Sequence, residues 1–225
     1  MPTRRVTFTS LEGVSPEPQP LPAKKMIPNW YKSMSREMDV GENTFHMGTV
    51  KKCSPFHDAI TLGYFVRLPS AIRVVFEENR LYFSWRNSQG REINRIEVHP
   101  PEQSGPIFGD VWKFMLDWGV KLPDGYSALW THPLNRHDLP FRTLSGVVDK
   151  GYDSPINIPF VWVSEEKETV LDRGLPIAQV IPFRREKWLA AYESIPNSKL
   201  MNATHEAANS IDGYRRKFRR RKIYR

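Results

Sequence analysis

Three stretches between residues 122 and 183 decide how this 225-residue chain folds. They read LPDGYSALW (122–130), SGVVDKGYDSPINIPFVW (145–162) and DRGLPIAQVIPF (172–183). In each stretch, turn residues such as Pro-Asp-Gly, Lys-Gly or Arg-Gly stand beside an extended apolar run, and that combination is typical of β-strands joined by tight turns. The sequence therefore predicts an all-β core.

In this order and spacing, the three stretches resemble the superfamily of trimeric dUTPases and dCTP deaminases. The jelly-roll subunit of that family has a Pro-x-Gly-Tyr strand, a Gly-Val-Val/Ile-Asp-x-Gly-Tyr hairpin and a Gly-x-x-Ile-Ala-Gln strand, and the stretches quoted above match all three. The resemblance implies an all-β, dUTPase-like jelly roll or β-sandwich. It also implies a homo-oligomer, with a trimer favoured.

The same resemblance assigns roles to three residues. Asp149 stands where the family's carboxylate activates water or binds the sugar, Tyr152 where a tyrosine packs against the deoxyribose, and Gln179 where a glutamine approaches a phosphate. Asp149 before Lys150-Gly151 is also what a tight turn prefers for conformational reasons alone. Tyr152 and Gln179 equally suit a strand aromatic and a strand-edge polar group, so both interpretations stay open.

Two phosphate-binding parts of the family's site are missing from the sequence. The Ser-Gly segment is replaced by THPLNR (131–136), and residues 184–225 contain a single glycine, Gly213, where the family has a Gly-rich segment. Close approach of backbone N–H groups to a phosphate depends on glycine. The sequence thus favours a non-enzymatic protein without a cofactor. The alternative is a divergent dUTPase or dCTP deaminase in which Asp149 activates water and Mg²⁺ is required, with a deoxynucleotide-sensing regulator between the two.

Longer stretches are similar to an uncharacterised protein family of tailed bacteriophages, especially marine and cyanobacterial phages. They read KKMIPNWYKSM (24–34), KKCSPFHDAITLGYFVRLPSAIRV (51–74) and PIAQVIPFRREKW (176–188). This resemblance implies a product made in the host bacterial cytoplasm and carried in the virion. The function predicted from it is a structural role in capsid decoration or in head, neck or tail assembly, with other phage structural proteins as partners.

Composition divides the chain into three parts: residues 1–30, 31–190 and 191–225. The first is an extended arm, because its prolines exclude a helix, and the apolar residues at its end either anchor it on a subunit or belong to a simple linker. The second is the β-sandwich, and the third is a helical segment with a basic tail. The predicted arm anchor consists of Met26, Ile27, Trp30 and Tyr31.

Positive charge is concentrated at the C-terminus. The chain has 33 Lys and Arg against 25 Asp and Glu, a net charge of +8, and RRKFRRRKIYR (215–225) holds 8 basic residues and no acid. Such a run either stays solvated or docks on a polyanion, which is packaged DNA or an acidic protein surface, and interleaved apolar residues favour docking. The predicted contact residues are Arg215, Arg216, Lys217, Phe218, Arg219, Arg220, Arg221, Lys222, Tyr224 and Arg225.

Other sequence features exclude several classes. One cysteine, Cys53, excludes an internal disulfide and is expected to be a buried thiol. No segment approaches the ~18 apolar residues that span a bilayer, so no membrane insertion is predicted. His132, His137 and Asp138 lie in a Pro-bounded loop without metal-site spacing, and no metal is predicted. Local patterns further indicate a strand over residues 59–66 and helices over residues 184–194 and 198–210.

Overall fold

The structure, a computed structural model, describes residues 4–10, 18–40, 45–78, 80–85, 93–96, 111–149, 155–208 and 213–225. The strands in these ranges are β1 Thr7–Thr9, β2 Leu21–Pro22, β3 Glu37–Val40, β4 Phe45–Gly48, β5 Tyr64–Arg67, β6 Ile72–Glu77, β7 Arg80–Trp85, β8 Ile93–Ile96, β9 Val111–Met115, β10 Gly119–Lys121, β11 Tyr126–Thr131, β12 Phe141–Thr143, β13 Gly146–Asp149, β14 Asn157–Trp162, β15 Glu168–Leu171 and β16 Pro176–Arg184. The helices are α1 Asn29–Ser33, α2 Ser54–Ile60, α3 Asn197–Ala208 and α4 Gly213–Lys217, with short 3-10 turns at Ala23–Met26 and Val50–Lys52.

The strands form small antiparallel sheets. The largest has five strands in the order β13-β11-β16-β5-β2, and a second has the order β12-β14-β9-β8. Three strands form β15-β6-β7, and the pairs β1-β10 and β3-β4 complete the set among the described residues. The predicted all-β class with short C-terminal helices is confirmed by this arrangement.

All three stretches contribute a strand to the five-stranded sheet, and the second also forms β14 of the four-stranded sheet. β11 pairs with β13 on one side, where Ser127 lies opposite Asp149. It pairs with β16 on the other side, where Thr131 lies opposite Gln179. The turn before β11 favours this pairing, because Gly125 has φ +77°, a conformation that glycine adopts without strain. The register therefore places two of the predicted site residues on the two neighbours of one strand.

A single apolar core joins the two larger sheets. Phe114, Phe141 and Phe160 from the four-stranded sheet are fully buried, and the rings of Phe114 and Phe160 stack with centroids 4.1 Å apart. They belong to the same buried cluster as Trp130 and Val180 of the five-stranded sheet. Each buried phenylalanine contributes about 1.5–3 kcal/mol of transfer free energy, so this cluster fixes how the sheets face each other.

Two of the predicted elements differ from the structure. Residues 59–66 begin in helix α2, because Pro55 in its first turn favours helix initiation, and only β5 is extended. Residues 185–196 form no helix, since the predicted helix over 184–194 begins inside β16 and has no core surface to pack against. Cys53 is exposed rather than buried, because it lies in the turn that links a 3-10 segment to α2.

Among the described residues, no helix has the length and apolar character needed to cross a membrane.

Candidate functional site

Asp149 lies at the end of β13, on an edge strand of the five-stranded sheet. The Ser127 hydroxyl donates a hydrogen bond of 2.5 Å to its carboxylate, and a guanidinium nitrogen of Arg185 is 3.9 Å away. The Asp149 side chain is 65% exposed. The sheet thus presents a carboxylate oriented by one buried hydroxyl and open to solvent, which can accept a proton from water. Tyr152, its predicted neighbour in the site, lies outside the described residues.

Gln179 is fully buried and holds three parts of the fold together. Its carbonyl oxygen accepts a 2.8 Å hydrogen bond from the backbone N–H of Leu134. Its amide nitrogen donates to the backbone carbonyls of Ala59, at 3.0 Å, and Leu62, at 2.6 Å. Both ends of the side-chain amide are therefore engaged with backbone, and the structure places Gln179 in the interior rather than on a ligand surface.

The loop after β11 has few backbone donors to offer a phosphate. Pro133 has no N–H, the N–H of Leu134 donates to Gln179, and the N–H of Arg136 donates to the carbonyl of Pro133 at 3.1 Å. A phosphate cradle requires several converging N–H groups. Two of the loop's backbone donors are therefore engaged within the protein.

Side chains of the same loop are also engaged within the fold. His132 accepts a hydrogen bond at Nδ1 from the N–H of Thr143, at 3.2 Å, and its Nε2 lies 2.9 Å from the carbonyl of Arg136, to which it donates. Burial lowers the pKa of His132. Asp138 pairs with Arg136 through two hydrogen bonds of 2.8 Å. Within the described part of the chain, no group of three or more His, Cys, Asp or Glu is arranged to hold a metal ion.

The predicted arm anchor packs on helix α2 of its own chain. Tyr31 is 3% exposed, and its ring stacks on Phe56 with centroids 5.7 Å apart. Trp30 contacts both rings edge-on and donates from its indole nitrogen to Asp138 at 3.3 Å. Met26 and Ile27 lie in the half-exposed turn before α1. The N-terminal segment is thus tied to α2 and to the loop after β11.

The C-terminal tail folds back on the protein at Asp58 in α2. Arg219 donates to the Asp58 carboxylate at 2.6 Å and 3.1 Å, and Lys222 donates to it at 2.6 Å. Burial raises the pKa of Asp58, but the hydrogen bonds and charges of Arg219 and Lys222 outweigh that effect and the pKa is lowered. The carboxylate is therefore ionised at neutral pH and holds two of the tail's cations.

The end of the tail contacts β5. The rings of Tyr224 and Tyr64 meet edge-on at 5.7 Å, and the Tyr64 hydroxyl donates to the carbonyl of Arg225 at 3.3 Å. The outer side of the tail carries Arg216, Lys217, Phe218, Arg220 and Arg221, which are exposed. Arg215 is also exposed but lies near Ser54 and His57 of α2, with which it lines a cleft. The tail consequently has an inner face bound to its own subunit and an outer, strongly basic face.

No protein-family model matches the chain, and no curated protein matches it. Among solved structures, it is similar to the native EIAV dUTPase, at 9% identity and a TM-score of 0.38, over 85% of this chain and 100% of that chain. It is also similar to a variant dUTPase of Staphylococcus bacteriophage 80alpha solved with dUpNHpp, at 12% identity and a TM-score of 0.36, over 87% of this chain and 94% of that chain. A variant dUTPase from phage phi11 of S. aureus is 12% identical with a TM-score of 0.33, over 59% of this chain and 82% of that chain. At such identities the likeness concerns the fold alone.

Proposed function

We propose that the chain is a non-enzymatic assembly protein of a bacteriophage virion, and that it binds a neighbouring subunit through residues 185–195. The observation that carries this proposal is the exposure of large apolar side chains along that segment. Trp188 is 82% exposed, Leu189 96% and Tyr192 97%. Contiguous apolar surface of this kind marks interaction sites, and Trp and Tyr are the residue types enriched where partners bind most strongly.

The segment is anchored at its first residue, which suits an attachment arm. Its first residue, Arg185, donates its N–H to the carbonyl of Gly125 at 2.8 Å. Its far end leads into helix α3. Burial of each of the three large side chains against a partner would contribute about 1.5–3 kcal/mol. The proposed partner is a second copy of this chain, because the resemblance of residues 122–183 implies a homo-oligomer.

The predicted result is that the purified chain forms a defined oligomer, and that the triple variant W188S/L189S/Y192S is a monomer at the same concentration. Light scattering coupled to size-exclusion chromatography gives the mass directly. The control is Y82S, which removes a half-exposed aromatic side chain from β7 and should leave the oligomer unchanged. A monomeric wild-type chain, or an oligomer that survives the triple substitution, contradicts the proposal.

The virion location is tested separately, by mass spectrometry of washed particles of a phage that encodes the chain.

A second candidate function is hydrolysis or deamination of a deoxynucleoside triphosphate by Asp149. The contact that favours it is the hydrogen bond from Ser127, which orients the carboxylate on an accessible sheet edge. The loop after β11 weighs against it, because the Leu134 N–H and the Gln179 amide are already bonded within the fold.

We therefore expect no pyrophosphate or ammonia from dUTP or dCTP with Mg²⁺ at high protein concentration. The assay compares the wild-type chain with D149N, which keeps the shape of the side chain and removes its charge. Turnover that D149N abolishes would overturn the non-enzymatic assignment, whereas turnover retained by D149N would point to a contaminating enzyme.

A further inference from the structure

A cleft lined by cations lies between the N-terminal segment, helix α2 and the C-terminal tail. Its volume is about 330 Å³, which is within the range of small-molecule sites. None of the described residues that line it is acidic, and none of them belongs to the surroundings of Asp149. The six cations in its wall are Lys32, Arg36, Lys51, Lys52, Arg215 and Arg219.

The positive charge of the cleft is only partly neutralised by neighbouring carboxylates. Lys52 pairs with Glu37, and Arg219 pairs with Asp58. Among the described residues, Lys32, Arg36 and Lys51 have no carboxylate partner, so three positive charges of the cleft are not neutralised. Like charges held together in this way repel each other, and a bound polyanion removes that repulsion. The charge balance therefore indicates an anionic ligand with several charges.

One cation is held in place by uncharged groups. The ammonium of Lys51 donates to the backbone carbonyls of Tyr31, at 2.5 Å, and Lys32, at 2.6 Å. It also lies 5.1 Å from the centre of the Tyr31 ring. These contacts fix the position of the charge without cancelling it, and an ammonium with two such acceptors retains a third N–H. Lys51 is thus oriented for an anion before any ligand arrives.

Two further wall residues define what else a ligand can contact. His57 lies beside Arg219, and burial, together with the charge of Arg219, lowers its pKa. It is therefore neutral at pH 7 and offers hydrogen bonds rather than charge. Ile27 supplies an apolar portion of the wall, while the face of the Tyr31 ring is already stacked on Phe56. The site thus has little aromatic surface for a stacked base and much charge for phosphate.

We propose that this basic cleft is a binding site for a compact polyphosphate group, either a free inorganic chain or the phosphate chain of a nucleotide. A concave site with cations on three separate segments suits a short ligand that carries several charges in a small volume. A nucleic-acid strand spreads its charges, about one for each 3.4 Å along the strand, and matches an elongated surface better than a compact cleft.

The test measures binding of inorganic triphosphate to the full-length chain by isothermal titration calorimetry at 0.1 M salt. The double variant K32S/R36S removes two exposed cations of the cleft. Because each charge-assisted contact accounts for about tenfold in affinity, we expect binding to weaken about a hundredfold. The matched control is K24S/K25S, which removes the same charge from an exposed turn outside the cleft and should change affinity less than about twofold. The single variant R36S replaces the double variant if the latter does not fold.

Comparison of triphosphate with dATP identifies the source of the phosphate chain. If triphosphate and dATP bind with equal affinity, the site recognises the phosphate groups alone. If dATP binds more tightly, the site also contacts the nucleoside. Both results support the proposed site. The proposal fails if the two double variants weaken binding equally, because affinity then follows net charge. It also fails if triphosphate does not bind, and this holds even where single-stranded DNA binds. The proposed binding site is independent of the proposed assembly role. The oligomer mass tests residues 185–195, whereas calorimetry tests the cleft.

Discussion

Replacement of Gln179 by alanine is expected to lower the free energy of unfolding by about 3–5 kcal/mol. The side chain is fully buried, and its three hydrogen bonds reach the backbone of Leu134, Ala59 and Leu62. Its removal takes a partner from the N–H of Leu134 and from the carbonyl of Leu62, at about 1–3 kcal/mol for each, and opens a cavity in addition. The carbonyl of Ala59 still accepts from the N–H of Leu62 at 3.3 Å. Urea unfolding followed by circular dichroism at pH 7 measures the change.

Two comparisons isolate the cause of that loss. Q19A removes an exposed glutamine and should change stability by less than about 0.5 kcal/mol. Q179E keeps the size of the side chain and an acceptor for Leu134, but it replaces the donor amide with oxygen that faces the carbonyls of Ala59 and Leu62. It should destabilise the chain at least as much as alanine does. If Q179A unfolds at the same urea concentration as the wild type, Gln179 does not hold these segments together.

The sequence predicts three strands of the five-stranded sheet, β11, β13 and β16, because the signals for them are local. Each of the stretches that form β11, β13 and β16 has turn residues next to an apolar run, and such patterns determine strands without knowledge of distant partners. The position of Gln179 in β16 follows from the same pattern. Its bonding partners do not, since Ala59 and Leu62 are 120 and 117 positions away along the chain.

The contacts of the basic tail likewise could not be predicted from local sequence. Its composition predicts an anionic partner, and one such partner is Asp58 of the same chain, 161 positions from Arg219. A single aspartate within SPFHDAI carries no local signal that distinguishes it from a surface residue of a short helix. The cleft depends on this docking, because it brings Arg215 and Arg219 next to Lys51 and Lys52. The sequence therefore identifies the charged segment, whereas the cleft beside this segment is found only from tertiary contacts.

Replacement of Gly63 by alanine is expected to destabilise the chain by about 4 kcal/mol or more. Gly63 has φ +65°, and a Cβ atom at this position would lie 2.1 Å from the carbonyl oxygen of Val180. The unfavourable backbone conformation alone costs about 1 kcal/mol. The remainder comes from the collision with β16, which can be relieved only by moving backbone in the five-stranded sheet. Such movement also disturbs the 3.0 Å hydrogen bond from the N–H of Ala23 to the carbonyl of Gly63.

Two other glycines separate these contributions in the same unfolding experiment. Gly125 also has a positive φ, +77°, but a Cβ there would have no atom within 4 Å, so G125A should cost only about 1 kcal/mol. A Cβ at Gly146 likewise has no atom within 4 Å, and its φ is not positive, so G146A should be close to neutral. Equal effects of G63A and G125A would show that close approach to β16 is unimportant.

Gly63 adjoins Leu62, an acceptor for Gln179, and G63A and Q179A both loosen the same junction between β16 and the turn before β5. The double variant G63A/Q179A should therefore lose less stability than the two single variants together, by about 1 kcal/mol or more.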